Sequence, residues 1–175
     1  MLQPAYTGMM DTKEIIEKYD SNGGVYVNYK NMISVLTLTY QRHYVLEEAI
    51  QSFLLQNTSV PTEMVVINDS PQVQYVFDHP RVKIINYPTR FSSINKKIEW
   101  GYKQCSYDWI YRLDDDDLLA PKALQIVADD IQNYPGYEIY RGFGMYLFTD
   151  NRYIGVQHNV NNGNVYSKNY FNRIQ

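Results

Sequence analysis

The sequence predicts an α/β domain built on a mostly parallel sheet, and two observations carry that expectation. Across residues 33–133, short runs of β-branched and aliphatic residues alternate with longer segments whose apolar residues recur at helical spacing, the pattern of strand–helix–strand units. The first run, Ile33-Ser34-Val35-Leu36-Thr37-Leu38, is nearly continuous in apolar character rather than alternating, as a strand covered on both faces is.

Residues 1–32 precede the regular pattern and read as an N-terminal extension, with a short helix near 12–19, a Ser21-Asn22-Gly23-Gly24 turn and a strand-like Val25-Tyr26-Val27-Asn28-Tyr29. Residues 33–175 read as a single domain. After the first strand, residues 44–56 carry Leu46, Ala49, Ile50 and Phe53 at helical spacing, with Glu47 and Glu48 expected in the first turn, where the helix dipole favours anions. Met64-Val65-Val66-Ile67 is a second buried strand, ended by the turn chemistry of Asn68-Asp69-Ser70-Pro71. Val82-Lys83-Ile84-Ile85-Asn86 is a third, stopped by Tyr87-Pro88. Residues 93–105 set Ile94, Ile98, Gly101, Tyr102 and Cys105 on one helical face, and Trp109-Ile110-Tyr111-Arg112-Leu113 is a fourth strand running into Asp114-Asp115-Asp116-Asp117. Pro121 opens the next helix, with Leu124, Val127, Ala128 and Ile131 inward and Pro135-Gly136 as its stop. Beyond Gly136, tyrosine-rich runs at 137–140, 145–149, 153–156 and 164–166 read as antiparallel or edge strands, and 170–175 as the start of a helix.

Composition narrows the function. At 175 residues, roughly 70% of the extended chain's surface can be buried without staples, and 45% hydrophobic with 20% charged residues is ordinary globular usage. A formal net charge of −3 offers no global basic field for a nucleic-acid backbone. The single cysteine, Cys105, allows neither an intrachain disulfide nor a cysteine-rich zinc site. No apolar run approaches the ~20 residues of a membrane span, and no secretory leader is legible. The expectation is a cytoplasmic chain without a transmembrane segment. No Ser/His/Asp arrangement, nucleophile elbow or phosphate-binding glycine loop occurs, which removes the hydrolase and P-loop classes. His43, His79 and His158 share no metal-like spacing.

In open parallel sheets ligands bind outside the carboxyl ends of the strands, near the point where strand order reverses. The first strand exits into Thr39-Tyr40-Gln41-Arg42, the second into Asn68-Asp69-Ser70 and the fourth into four aspartates. Oxygen donors with no His or Cys cluster suit Mg²⁺ or Mn²⁺, which complete their shells with phosphate oxygens. The same acidic run also fits a solvated loop that favours the following helix N-terminus, and Asp69 alone fits a turn residue. Arg42, Lys96 and Lys97 are candidates to neutralise phosphates.

The order of four motifs supplies what no single one does. Ile33 through Arg42, then the 46–56 helix, then Val65-Val66-Ile67-Asn68-Asp69-Ser70, then Tyr107-Asp108-Trp109-Ile110-Tyr111-Arg112-Leu113-Asp114-Asp115-Asp116-Asp117 resembles family 2 glycosyltransferases of the GT-A fold, best over 33–131. The resemblance implies a mostly parallel sheet flanked by helices with a smaller antiparallel C-terminal part. It implies that Asp69 contacts the nucleotide base, that Thr39 and Tyr40 line the nucleotide pocket, and that Lys97 is the counterpart of a basic residue after the third strand. The Asp-x-Asp motif falls on Asp114-Asp115-Asp116: Asp114 approaches the ribose, and Asp116, with Asp114, holds the Mn²⁺ or Mg²⁺ that bridges the diphosphate. Three positions depart from the family: Leu38 stands for Pro, Asn68 for the first acid of an Asp-Asp pair, and Glu99 for Asn. The usual catalytic base would lie beyond Gln175, Asp150 carries no motif that makes it the base, and the catalytic residue is unassigned.

The implied activity is metal-dependent transfer of a sugar, with inversion, from a UDP- or GDP-linked donor to a hydroxyl of a glycan, protein or lipid-linked acceptor in glycan biosynthesis. The chain would be the nucleotide-sugar-binding module of a larger enzyme or an unusually short one. Two alternatives stand beside it: a non-catalytic nucleotide- or glycan-binding module, and a sugar nucleotidyltransferase, though the latter wants a glycine-rich basic loop that 39–42 lacks.

Overall fold

The computed structural model describes residues 31–140, 144–149, 152–158 and 164–173. The expected helix near 12–19, the 21–24 turn, the 25–29 strand and Asp150 lie outside them. In chain order the elements are β1 (Ile33–Thr39), α1 (His43–Leu54), β2 (Thr62–Asn68), β3 (Val82–Asn86), α2 (Ile94–Tyr102), β4 (Trp109–Asp114), α3 (Ala123–Asn133), β5 (Ile139–Tyr140), β6 (Gly144–Thr149), β7 (Arg152–His158), β8 (Val165–Ser167) and α4 (Lys168–Arg173).

Six strands form one sheet in the order β3-β2-β1-β4-β8-β5. β1 pairs in parallel with β2 and β4, and β2 with β3. β8 runs antiparallel to both β4 and β5. β6 and β7 form a separate antiparallel hairpin. The predicted parallel core and antiparallel C-terminal part are therefore both present.

All seven residues of β1 are buried, because it is central and helices cover both faces. Side chains alternate between those faces. Ile33 and Val35 join Met64, Val66, Leu46, Ile50, Phe53, Leu124 and Ala128 beneath α1 and α3. Leu36 and Leu38 join Val65, Ile67, Tyr102, Cys105 and Phe171 beneath α2 and α4. Each fully buried aliphatic or aromatic side chain contributes about 1.5–3 kcal/mol relative to exposure.

Two local expectations are corrected. α1 starts at His43, so Glu47 and Glu48 fall past its first turn, which holds no acidic residue. In α2 the inward face carries Lys97, Gly101 and Tyr102, whereas Ile94 is 56% exposed. The Ser93 hydroxyl caps α2 by accepting from the Lys96 amide, and that start rotates Ile94 outward and Lys97 toward the carboxyl edge of the sheet.

Candidate functional site

Strand register gathers the predicted residues on one edge. Thr39 pairs with Asn68 and Leu38 with both Ile67 and Asp114, so β1, β2 and β4 end at the same level. Because the chain first builds outward from β1 through β2 to β3 and then returns to place β4 on the other side of β1, strand order reverses between β1 and β4. The crevice of a doubly wound sheet opens at that place.

On one side of the crevice lies a buried ion pair. Lys97 Nζ donates to Asp69 Oδ1 at 2.5 Å and to the Thr39 carbonyl at 2.6 Å, while the Phe91 amide donates to Asp69 Oδ2 at 3.0 Å. The two side chains are 6% and 5% exposed. Burial pushes the Lys97 pKa below its ordinary value, with the Asp69 hydrogen bond and charge opposing it. The lysine therefore meets the crevice only through Asp69 and the end of β1. The Thr39 hydroxyl is buried with no hydrogen-bond partner among the described residues.

On the other side, Arg42 reaches across from the β1 exit to the acidic run. Its Nη1 donates to Asp116 Oδ2 at 2.8 Å, and Nη2 bonds Asp115 Oδ1. Asp115 is fully buried, whereas Asp116 and Arg42 are half exposed. Burial works to lower the Arg42 pKa, but the charges of Asp115 and Asp116 outweigh it and hold the guanidinium above its ordinary value. Arg112 Nη2 donates to Asp114 Oδ1 at 2.9 Å. Burial first, then the charges of Asp114, Asp116 and Asp115, push the Asp117 carboxyl up to about 6. The run is thus a graded site, with three of its acids tied to arginines and the fourth, Asp117, inclined to hold a proton.

The backbone holds these groups in place. Gln41 has φ +57°, the left-handed region that non-glycine residues seldom enter, and its amide donates to the buried Ser70 hydroxyl at 2.7 Å. That bond ties the β1 exit to the β2 exit. Asn68 shows why an amide stands where an acid is usual. Its Nδ2 donates to the Val73 carbonyl at 2.6 Å and to Asn86 Oδ1 at 2.8 Å, while its Oδ1 accepts from the Ser70 amide at 3.1 Å. A carboxylate could not make the two donations. Beside them the Arg90 guanidinium lies 4.1 Å from the centroid of Tyr40, and Tyr87, Phe91 and Trp100 pack against each other with Tyr87 and Phe91 stacked at 4.3 Å.

Of the residues predicted from sequence, Thr39, Tyr40, Arg42, Asp69, Lys97, Asp114, Asp115 and Asp116 all lie at this edge. Lys96 does not join them: it pairs with Glu99, which also receives Lys103 on the exposed side of α2. That pairing places Glu99, one of the three departures from the family pattern, on the surface. The sequence reading missed Ser70, Arg90, Phe91 and Arg112. Arg112, two residues before the first aspartate, and Ser70, in the β2 exit, had a signal; Arg90 and Phe91 matter through loop geometry.

The carboxylates at the β4 exit are hard oxygen donors, and Asp115 Oδ2 is buried without a hydrogen-bond partner among the described residues. Among those residues no three acidic, histidine or cysteine side chains are grouped to hold an ion unaided. The set fits an ion held by one or two carboxylates whose remaining ligands are phosphate oxygens.

A protein-family model described as Glycosyl transferase family 2 matches residues 34–173. The chain is similar to an uncharacterized glycosyltransferase, YwdF, of Bacillus subtilis strain 168, 28% identical over 104 residues, covering 57% of this chain and 38% of that protein. It is similar to an uncharacterized glycosyltransferase of Haemophilus influenzae, 26% identical over 104 residues, covering 55% of this chain and 38% of that protein. The match thus spans well under half the length of these curated relatives. Among solved structures it resembles S. aureus TarS 1-349, with a TM-score of 0.56 and 15% identity over 82% of this chain and 49% of that one, a likeness of fold.

Proposed function

The chain belongs to glycosyl transferase family 2, and on that premise we propose that it transfers a sugar from a nucleoside-diphosphate donor to a hydroxyl acceptor, with inversion and with a divalent cation. Its fold is the GT-A arrangement that the resemblance implied. One observation carries the site: Arg42, Asp115 and Asp116 meet at the reversal of strand order, beside the Asp69–Lys97 pair.

In this reading Asp69, held in one orientation by Lys97 and the Phe91 amide, faces the base of the donor, and Tyr40 with the Thr39 hydroxyl forms the nucleotide wall. Asp114 approaches the ribose. Asp116 with Asp114 would hold Mn²⁺ or Mg²⁺, which supplies charge neutralisation for the departing diphosphate. Arg42 carries a permanent positive charge on the same crevice and can exchange a carboxylate for a phosphate oxygen, since guanidinium groups match both. Inverting transfer also requires a carboxylate that takes the acceptor proton. No described residue is assigned to that role.

The donor is proposed to be UDP- or GDP-linked and the acceptor a glycan, protein or lipid-linked hydroxyl, with the chain working in the cytoplasm. No helix among the described residues is long and apolar enough to cross a membrane. Calorimetric titration of the chain with UDP, GDP and their sugars, each with Mn²⁺ and with chelator, tests the donor site; a sugar-release assay with and without candidate acceptors then tests turnover. Metal-dependent binding of one nucleotide with turnover supports the whole reading. Binding without turnover in any acceptor screen moves the assignment to a nucleotide-binding module, and no binding by the folded chain overturns it.

A further inference from the structure

We propose that the protein has a second ligand site at the opposite end of the sheet, where Arg81, Thr62 and Tyr107 line a cavity that takes an oxyanion group, phosphate or carboxylate. The cavity has a volume of about 470 Å³ and is completed by Gln56, Thr58, Val60 and Pro61. Thr62 opens β2, Arg81 immediately precedes β3, and Tyr107 lies two residues before β4. The site therefore sits at the amino ends of the strands, about 20 Å from Asp69 along β2 at ~3.3 Å per residue.

Arg81 is the reason to expect an anion. The residue is half-buried, its guanidinium lies 4.6 Å from the centroid of the fully buried Phe53 ring, and Nη2 donates to Thr62 Oγ1 at 3.0 Å and to the Phe53 carbonyl at 3.5 Å. Among the described residues it forms no ion pair, and neither Nη1 nor Nε donates to a protein acceptor. The neighbouring carboxylate cannot serve. Glu63 follows Thr62 in the strand and so faces the other side of the sheet, where it accepts from the hydroxyls of Ser34 and Ser106 and the Ser106 amide. Burial pushes the Arg81 pKa below its ordinary value, with Tyr107 as the one opposing influence. A cation that has lost water without gaining a carboxylate is a strained partner that a bound oxyanion would satisfy.

The remaining donors are suitably placed. Thr62 Oγ1, already accepting from Arg81, keeps its own proton to donate, and the Tyr107 phenol is a further donor. Gln56 is not one, because Nε2 donates to the Ser52 and Ala120 carbonyls and Oε1 accepts from the Leu124 amide. It shapes the wall instead. The volume exceeds that of a bare phosphate and leaves room for an attached organic group.

The experiment titrates the full chain with inorganic phosphate and, separately, with acetate, against chloride at matched ionic strength, while following backbone amide shifts. A saturable shift at Thr62 and Tyr107, with affinity falling tenfold or more in Arg81→Gln and unchanged in Asp116→Asn, supports the site. Phosphate alone, or acetate alone, names the group it takes. If Arg81→Gln does not fold, Thr62→Val is expected to weaken the same titration several-fold. Shifts confined to the Phe91 and Lys97 end, no saturable response beyond chloride, or an undiminished response in a folded Arg81→Gln or Thr62→Val protein overturns the proposal.

Discussion

Lys97 Nζ stands 2.5 Å from Asp69 Oδ1 with both side chains buried, and the pair connects α2 to the loop after β2. An isolated charge at that depth is costly, whereas a matched apolar pair of similar volume is often neutral. Lys97→Met is therefore expected to destabilise the fold by about 3–5 kcal/mol. The double variant Asp69→Leu/Lys97→Met should recover most of that loss. Urea denaturation of the two variants measures it, and equal stability of single and double would rule out the unpaired carboxylate as the cause.

Arg42 compensates a fully buried carboxylate at Asp115. Replacing it by alanine leaves Asp115 without that partner, an expected cost of about 1–3 kcal/mol. The proposed function adds a second expectation: with the guanidinium gone, Mn²⁺ should raise the melting temperature of Arg42→Ala more than that of the unaltered chain, and nucleotide affinity should fall about tenfold. Thermal melts with and without Mn²⁺ check the first; an equal or smaller metal effect would show that Arg42 and the ion do not share those carboxylates.

Gly101 lies where α2 crosses the sheet. A Cβ there would stand 3.1 Å from Leu36 Cδ1 and 3.3 Å from Ile67 Cγ1, both in the tightly packed face of the core. Overpacking costs about 1–3 kcal/mol, against a helix-propensity gain of about 1 kcal/mol. Gly101→Ala should therefore lose up to about 2 kcal/mol by chemical denaturation. A more stable variant would mean that Leu36 and Ile67 move aside freely.

Burial first, and the Glu63 charge after it, push the Cys105 thiol up to about 12 from an ordinary value near 9. The folded chain then keeps a proton that the unfolded chain sheds between those values, so the thiol's contribution weakens the fold as pH rises from about 9 to 12. Tyr111, raised to about 12 by burial and then by Asp117, acts in the same direction. Cys105 should resist iodoacetamide at pH 8 in the native chain and react at the free-thiol rate in urea. Rapid alkylation of the folded protein would contradict the buried, protonated thiol.

The strands and helices of residues 33–133 were legible because each carries its own periodicity: β1 is apolar throughout, and α1 and α3 repeat at helical spacing. The positions that misled were those decided by a cap or a partner. Glu47 and Glu48 left the first turn because α1 starts at His43. Lys97 lies inside because Asp69 and the Thr39 carbonyl accept its hydrogen bonds, and no rule of burial from residue type alone would put a lysine there. Arg90 and Phe91 were unreadable, since each acts across a loop whose path the local sequence does not specify.

What the sequence by itself determined was the alternation of strands and helices, the apolar faces that close the core, and the acidic residues at two strand exits, because these depend on spacing within one segment. Only the tertiary structure decided that Arg42 meets Asp115 and Asp116 rather than solvent, that Asp69 is held by Lys97, and that Arg81 is left without a carboxylate at the far end of the sheet. Those relationships join residues 28 to 74 positions apart or depend on which face of a strand a side chain takes. They arise from strand order and register, which set distances that no local pattern encodes.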